Sequence, residues 1–335
     1  MKRELTIEEV TYRLHTPFVT AHGPRDRQTA LRVTLRDGGR TGRGESPGVS
    51  YRGETPSSMA QQIDAVRTPI EAGMDRQELL SVLPPGGARA ALDAALFDLE
   101  AQSGPPAWAI AGSAREPEAV LTAYTITLDT PDAMRSAAER SSEKPLLKVK
   151  IGGGDGLDLE RVKAVRQGAP GAELIADGNE ACAFSQVVEL AATMADLGYA
   201  LLEQPLRAGE DERLRGLDLA LPLCADESLF VAGDLPALEG IYAFGNIKLD
   251  KTGGLTAALL LADAIDKAGM KIFTGCMISS ALALAPSFII AQRAAFADLD
   301  GPLWLADDPD PITLEGRGRL APPPGEVWGS QREVS

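Results

Sequence analysis

Charged side chains recur where short apolar runs of this chain end. Leu174-Ile175-Ala176 runs into Asp177, Leu201-Leu202 into Glu203, Leu223-Cys224-Ala225 into Asp226, and Asn246-Ile247 into Lys248. The run from Pro145 to Ile151 carries Lys148 and Lys150. Desolvating a charge is costly, so charges inside strand-like segments are rare and mark places where chemistry needs them. Asp177, Glu203 and Asp226 offer three hard oxygen ligands without His or Cys, a donor set suited to Mg²⁺, with Mn²⁺ as a substitute, and not to zinc. Any one of them is more often an ion-pair partner or a helix cap, but three gathered carboxylates repel unless a cation neutralises them. Lys148 and Lys150 lie two apart on one strand and so share a face. Lys248 comes from a later strand and is expected to approach from across the site. Two lysines on opposite sides of a metal can exchange a proton on either face of one carbon, while the metal stabilises the enolate formed alpha to a carboxylate. A lysine base starts from a pKa near ~10.4; burial, a nearby cation and a second lysine are expected to lower it. Asp298 and Asp300, at i and i+2, would share one face of an extended segment and could clasp a cation such as an ammonium group, although Asp-x-Asp alone is more often a loop or cap.

The elements that must gather these residues follow a period. Strand-like runs centre near residues 123, 148, 175, 201, 224, 247, 272 and 297. The interval is roughly 25 residues, the length of one strand–helix unit. Helical patterns lie between, at 157–168, 185–198, 213–220, 234–240, 256–269 and 280–293. Eight such units make an α/β fold that closes into a parallel TIM-type barrel, whose C-terminal strand ends form one reactive face. An open doubly wound sheet would string the same ends along a line, with less reason for charge on so many. Residues 1–115 do not keep this period. Alternation over Thr29 to Arg36, a turn at Asp37-Gly38-Gly39, a return strand to Glu45 and helical patterns at 56–72, 76–83 and 88–99 predict an α+β capping domain. The barrel then spans 116–319, and the tail 320–335 is expected to pack back on the capping domain.

At 335 residues with a formal net charge of -15 the chain is large enough for two domains. The charge argues against nucleic-acid and membrane partners, which favour basic surfaces, but not against a small anionic ligand. Three cysteines without metal-type spacing, Cys182, Cys224 and Cys276, read as reduced thiols of a cytoplasmic protein. The N-terminus lacks a signal-peptide apolar core, and no stretch approaches the ~20 apolar residues of a membrane span. Homo-oligomerisation is left open.

Taken together, Lys148-Val149-Lys150, Asp177-Gly178-Asn179, Glu203-Gln204-Pro205, Asp226-Glu227-Ser228 and Asn246 to Gly254 resemble the enolase superfamily, muconate-lactonizing subgroup. With Gly275-Cys276-Met277 and Asp298-Leu299-Asp300 the chain resembles the dipeptide epimerases, of L-Ala-D/L-Glu type in particular, over nearly its whole length. The resemblance implies a modified (β/α)7β barrel under an α+β cap and an essential Mg²⁺ held by Asp177, Glu203 and Asp226. It implies that Lys150 and Lys248 exchange the alpha proton, Lys148 helps to neutralise the substrate carboxylate, and Asp298 and Asp300 bind the dipeptide ammonium. Cys276 and Met277 would line the substrate site, and recycling of peptidoglycan peptides is the setting by analogy. A basic residue in the capping loop Phe18 to Arg25 would meet a glutamate side chain; this chain has His22 where arginine is expected, with Arg25 nearby. Gly178 stands where alanine is usual, a change expected to be harmless. The same metal and lysines also serve o-succinylbenzoate synthase, muconate cycloisomerase and N-acylamino acid racemase, whose substrates carry no ammonium. The alternative outside this chemistry is a metal-bound barrel that binds an acid without turning it over.

Overall fold

The computed structural model describes residues 3–330. Strands β1 (Glu4–Thr20), β2 (Gly23–Asp37) and β3 (Arg40–Ser46) form an antiparallel sheet in chain order. Of β1 only Leu5 and Tyr12 are buried, so it has almost no alternating apolar signal, which is why the sequence reading passed over it. Its far end pairs Thr20 with Gly23 across a two-residue turn, Ala21-His22. Helices α1 (Pro56–Ala65), α2 (Arg67–Glu71), α3 (Arg76–Val82) and α4 (Gly87–Ala101) cover the sheet. Helix α4 can lie directly on β3 because a Cβ at Gly42 or Gly44 would collide with the backbone oxygens of Ala95 and Ala91.

A short helix α5 (Ala107–Ile110) and strand β4 (Val120–Leu121) lead into eight parallel strands: β5 (Tyr124–Ile126), β6 (Leu146–Lys150), β7 (Glu173–Asp177), β8 (Tyr199–Glu203), β9 (Leu223–Ala225), β10 (Phe244–Ile247), β11 (Lys271–Gly275) and β12 (Phe296–Asp298). A bridge between Thr122 and Ala297, with Ala123 N donating to Ala297 O at 2.8 Å, closes the ring between its first and last members. The expected barrel is therefore present, and all eight strands fall where the period placed them. Alternation builds its interior in two levels. Leu146, Ile175, Leu201, Cys224, Phe244 and Phe273 form a buried apolar floor. Two residues further along each strand the inward position is Lys148, Asp177, Glu203, Asp226, Asn246 or Gly275. Register pairs Lys150 with Asp177 and Asp177 with Glu203, then steps, with Glu203 opposite Cys224 and Asn246 opposite Phe273.

Outside the barrel lie α6 (Pro131–Arg140), α7 (Asp158–Gly168), α8 (Val187–Asp196), α9 (Leu235–Leu238), α10 (Leu249–Thr252), α11 (Leu255–Lys267), α12 (Ala281–Leu284) and α13 (Ser287–Ala291). The helix expected over 213–220 is instead one 3₁₀ turn, Asp211–Leu214, because Gly216 takes φ +76° and turns the chain out. The pattern over 280–293 is split by Pro286, which supplies no backbone N–H. Helix α6, absent from the sequence reading, is announced by Thr130, whose hydroxyl caps Ala133 N ahead of Pro131. Strand β13 (Leu314–Glu315) pairs with β14 (Arg319–Leu320), and β14 with β4. In the tail Trp328 Nε1 donates to Ala94 O at 2.9 Å and Gly329 N to Asp98 at 2.8 Å, so it packs on α4; residues 331–335 lie outside the described residues.

Buried polar contacts fix the cap on the barrel. Ser280 Oγ donates to Glu45 and Ser46 Oγ to Asp250, each at 2.5 Å. Arg89 donates to the carbonyls of Thr252 and Gly253, at 2.5 and 3.1 Å. These hold the segment after Lys248, so the cap helps to set the position of that lysine. Among the described residues no helix is long and apolar enough to cross a membrane.

Candidate active site

The upper level of the barrel and the underside of the β1–β2 hairpin enclose a cavity of about 780 Å³. Lys148, Lys150, Lys248, Cys276, Met277, Asp298, Asp300, His22 and Arg25 all line it. Asp177, Glu203 and Asp226 lie fully buried beneath, each offering an oxygen within 4.8 Å of the others.

Each carboxylate of the trio is steered by neighbours. Asn179 N donates to Asp177 Oδ1 at 2.9 Å, and Asn246 Nδ2 to Glu203 Oε1 at 2.6 Å. Gln204 Oε1 accepts from Asp226 N at 2.9 Å and from Ser228 N at 3.1 Å, tying the ends of β8 and β9 together. Lys251 is fully buried and donates to Asp226 Oδ1 at 2.6 Å, Leu229 O at 2.9 Å and Asn246 O at 3.0 Å. It faces away from the cavity and acts as a fixture for Asp226. Asn179 and Gln204 adopt φ of +41° and +30°, a conformation uncommon for residues with a Cβ. Gly178 fits between Asp177 and Asn179, where an added Cβ would stand 2.7 Å from Cys182 Sγ and ask that side chain to shift.

The lysines close on the trio from two sides. Lys150 Nζ lies 2.6 Å from Asp177 Oδ2, and Lys248 Nζ 2.6 Å from Asp226 Oδ2. Their strands, β6 and β10, are four apart in a ring of eight, hence diametrically opposed. Gly275 matters here, because a Cβ would stand 3.0 Å from Lys248 Cε. Lys148 sits centrally, 2.7 Å from Asp298 Oδ2, 3.0 Å from Asp177 Oδ2 and 2.6 Å from Glu203 Oε2. Burial opposes the charge on Lys148 and Lys248, but the facing carboxylates outweigh it and hold both well above the usual lysine range. The lowering expected for a lysine base includes a nearby cation; with no cation on the trio the carboxylates dominate at both Nζ atoms. A divalent cation taking up those carboxylates removes that opposing influence.

The trio fits a hard cation on the evidence of its own atoms. Glu203 Oε2 has Lys148 Nζ at 2.6 Å as its one neighbour of opposite charge and accepts no other hydrogen bond, and Asn246 Oδ1 is unpartnered. Burial beside Asp177 pushes the Glu203 carboxyl up to about 8, while the lysines hold Asp177 and Asp226 low despite their burial. Below pH 8 a proton therefore competes with the cation at Glu203, and binding releases it. Mg²⁺ affinity measured by calorimetry should rise about tenfold per pH unit up to pH 8 and level off above it; a flat profile from pH 6 to 9 would mean that no proton is displaced from Glu203 on binding.

Asp298 ends β12, whereas the backbone at Asp300 is helical rather than extended as expected. Both still face the cavity. Asp298 Oδ1 has no partner, and Asp300 Oδ2 accepts from Thr125 N at 2.8 Å and Trp304 Nε1 at 3.1 Å. Of the two capping-loop candidates, Arg25 donates to Gln28 Oε1 at 2.7 Å and to Ser50 Oγ at 3.3 Å. Both acceptors are neutral, so its half-buried charge is uncompensated. His22 instead stacks on Tyr51, centroids 5.8 Å apart, with Nε2 3.9 Å from Glu227. The sequence reading assigned no role to Tyr51, Glu180 or Glu227, although all three line the cavity. Glu227 had a signal, an acid next to Asp226 at a strand end; Tyr51 had none, since its place depends on how the cap sits.

Residues 133–324 match the enolase C-terminal domain-like family and residues 2–107 the mandelate racemase / muconate lactonizing enzyme N-terminal domain. The chain belongs to this enolase superfamily group. It is 41% identical to L-Ala-D/L-Glu epimerase of Escherichia coli over 95% of this chain and 99% of that protein. It is 39% identical to an N-acetyl-D-glutamate racemase of Pseudoalteromonas sp, over 89% of this chain and 94% of that one. Among solved structures it resembles an enolase family member from Agrobacterium tumefaciens with homology to dipeptide epimerases, described with bound sodium and L-Ala-L-Glu. That likeness has a TM-score of 0.94 at 39% identity, covering 98% of this chain and 100% of the other.

Proposed function

We propose that this protein is a Mg²⁺-dependent dipeptide epimerase that interconverts L-Ala-L-Glu and L-Ala-D-Glu. The observation that carries the reading is the pair of lysines on opposite strands flanking a buried carboxylate trio. Asp177, Glu203 and Asp226 hold the cation, which when bound supplies the positive charge that stabilises an enolate at the substrate carboxylate. Lys150 and Lys248 hold and return the alpha proton on opposite faces of that carbon, and a proton delivered to the face opposite the one it left inverts the centre. Lys148 adds positive charge beside the carboxylate. Asp298, through its unpartnered Oδ1, and Asp300 receive the ammonium, with Cys276 and Met277 forming the neighbouring wall. Arg25 faces the glutamate side chain, since it brings an uncompensated charge where His22 is turned toward acids. The same reading takes 1–115 as the cap and 116–319 as the catalytic barrel. It places the protein in the cytoplasm, on the strength of three unpaired cysteines, two of them buried.

N-Acetylglutamate racemisation is the second reading, favoured by the Pseudoalteromonas relative named for it. It shares the glutamate end and differs at the amino end, where Asp298 decides. Asp298→Asn should raise KM for L-Ala-L-Glu about tenfold, leave Mg²⁺ affinity unchanged and leave any turnover of N-acetyl-L-Glu untouched or improved. An unchanged dipeptide KM would remove the ammonium clasp and turn the assignment toward the N-acyl substrate.

A further inference from the structure

A second group of metal-type donors lies at the mouth of the cavity, apart from the buried trio. His22, Glu180 and Glu227 each bring one ligand atom within 4.8 Å of the other two. They come from three segments: the turn of the β1–β2 hairpin, the loop after β7 and the loop after β9. Glu227 is 2% exposed, and its Oε2 has no hydrogen-bond partner although it lines the cavity. Its other oxygen accepts from Asn179 Nδ2 at 3.2 Å and lies 3.9 Å from His22 Nε2. A buried carboxylate oxygen without a donor is costly, and a cation shared with its neighbours satisfies it. Glu180 Oε1 accepts from Ala208 N at 2.7 Å, which orients that carboxylate and leaves its second oxygen for a ligand. Tyr51, stacked on His22 at an interplanar angle of 16°, orients the imidazole.

We infer that His22, Glu180 and Glu227 form a second divalent-cation site that clamps the capping hairpin onto the barrel. One imidazole and two carboxylates favour a first-row transition ion such as Zn²⁺ or Mn²⁺, whereas the all-oxygen trio favours Mg²⁺. An ion here joins three segments at the cavity mouth, so it slows exchange of whatever the cavity holds. The inference does not depend on the identity of the substrate.

The test is metal stoichiometry without turnover. Wild type, His22→Ala and Glu180→Gln are dialysed to equilibrium against Zn²⁺ with Mg²⁺ in excess, and bound zinc is counted per chain by mass spectrometry. Both altered positions lie at the mouth, and His22 is a turn residue with a side chain 40% exposed, so folding is not at stake. The expected result is one zinc fewer per chain in each variant than in wild type, whatever the buried trio retains. Equal zinc in wild type and His22→Ala overturns the site. A loss in His22→Ala alone, with Glu180→Gln binding as wild type does, also overturns it as a three-residue clamp.

Discussion

Lys150→Ala should lower the rate of L-Ala-L-Glu epimerisation by about 10²–10⁴-fold while leaving proton exchange of one of the two isomers intact. Lys150 and Lys248 stand on opposed strands, each 2.6 Å from a carboxylate of the trio, so each serves one face of the reacting carbon. Removing one leaves the other able to take a proton and return it to the same face, which exchanges hydrogen without inverting the centre. Lys248→Ala should spare exchange of the opposite isomer. This reciprocal pattern separates proton transfer from neutralisation of charge, because a role in neutralisation predicts equal losses for both isomers. Lys150→Arg sharpens the contrast. It keeps the charge but holds its proton at any working pH, so it should be as slow as the alanine variant. A Lys150→Arg variant that epimerises at near wild-type rate would show that only charge is needed there.

Arg25→Ala should raise KM for L-Ala-L-Glu about tenfold to a hundredfold and barely change KM for a dipeptide ending in leucine. Hydrogen bonds to a charged partner contribute roughly 1.5–3 kcal/mol when one member is removed. Burial lowers the Arg25 pKa, no carboxylate of the protein opposes that, and its two hydrogen bonds go to neutral oxygens. A substrate carboxylate is the missing counter-charge. The kcat for glutamate substrates should fall less than KM rises, since the contact lies away from the reacting carbon. Steady-state kinetics on the two dipeptides checks this; equal KM changes for both would mean that Arg25 supports the loop rather than reading the side chain.

The barrel and its trio were legible because period and alternation act together. Apolar floor residues such as Leu146, Ile175 and Leu201 are each followed two positions later by a charge, and a strand allows that only where the two face a common interior. Asp177, Glu203, Asp226 and the three lysines are all anchored on such strand ends. The cap was legible only in part. Its first strand buries two side chains, so its sequence reads as polar and irregular. Tyr51 and Glu180 escaped because their position depends on tertiary docking: one sits in a 3₁₀ turn of the cap, the other in a loop held at φ +68°. How closely the acids face Lys248 was not legible for a related reason. The charges were counted along the chain, whereas the balance at Nζ is set by which of them face it, and Asp226 does so at 2.6 Å.

Opposed lysines over a carboxylate trio require proton exchange at the alpha carbon of a dipeptide. The most direct measurement incubates the protein with Mg²⁺ and L-Ala-L-Glu in heavy water and follows the glutamate alpha proton by NMR. Loss of that signal, with deuterated L-Ala-D-Glu appearing alongside it, is the predicted result. A persistent alpha-proton signal, with the protein folded and its cation bound, would contradict the assignment.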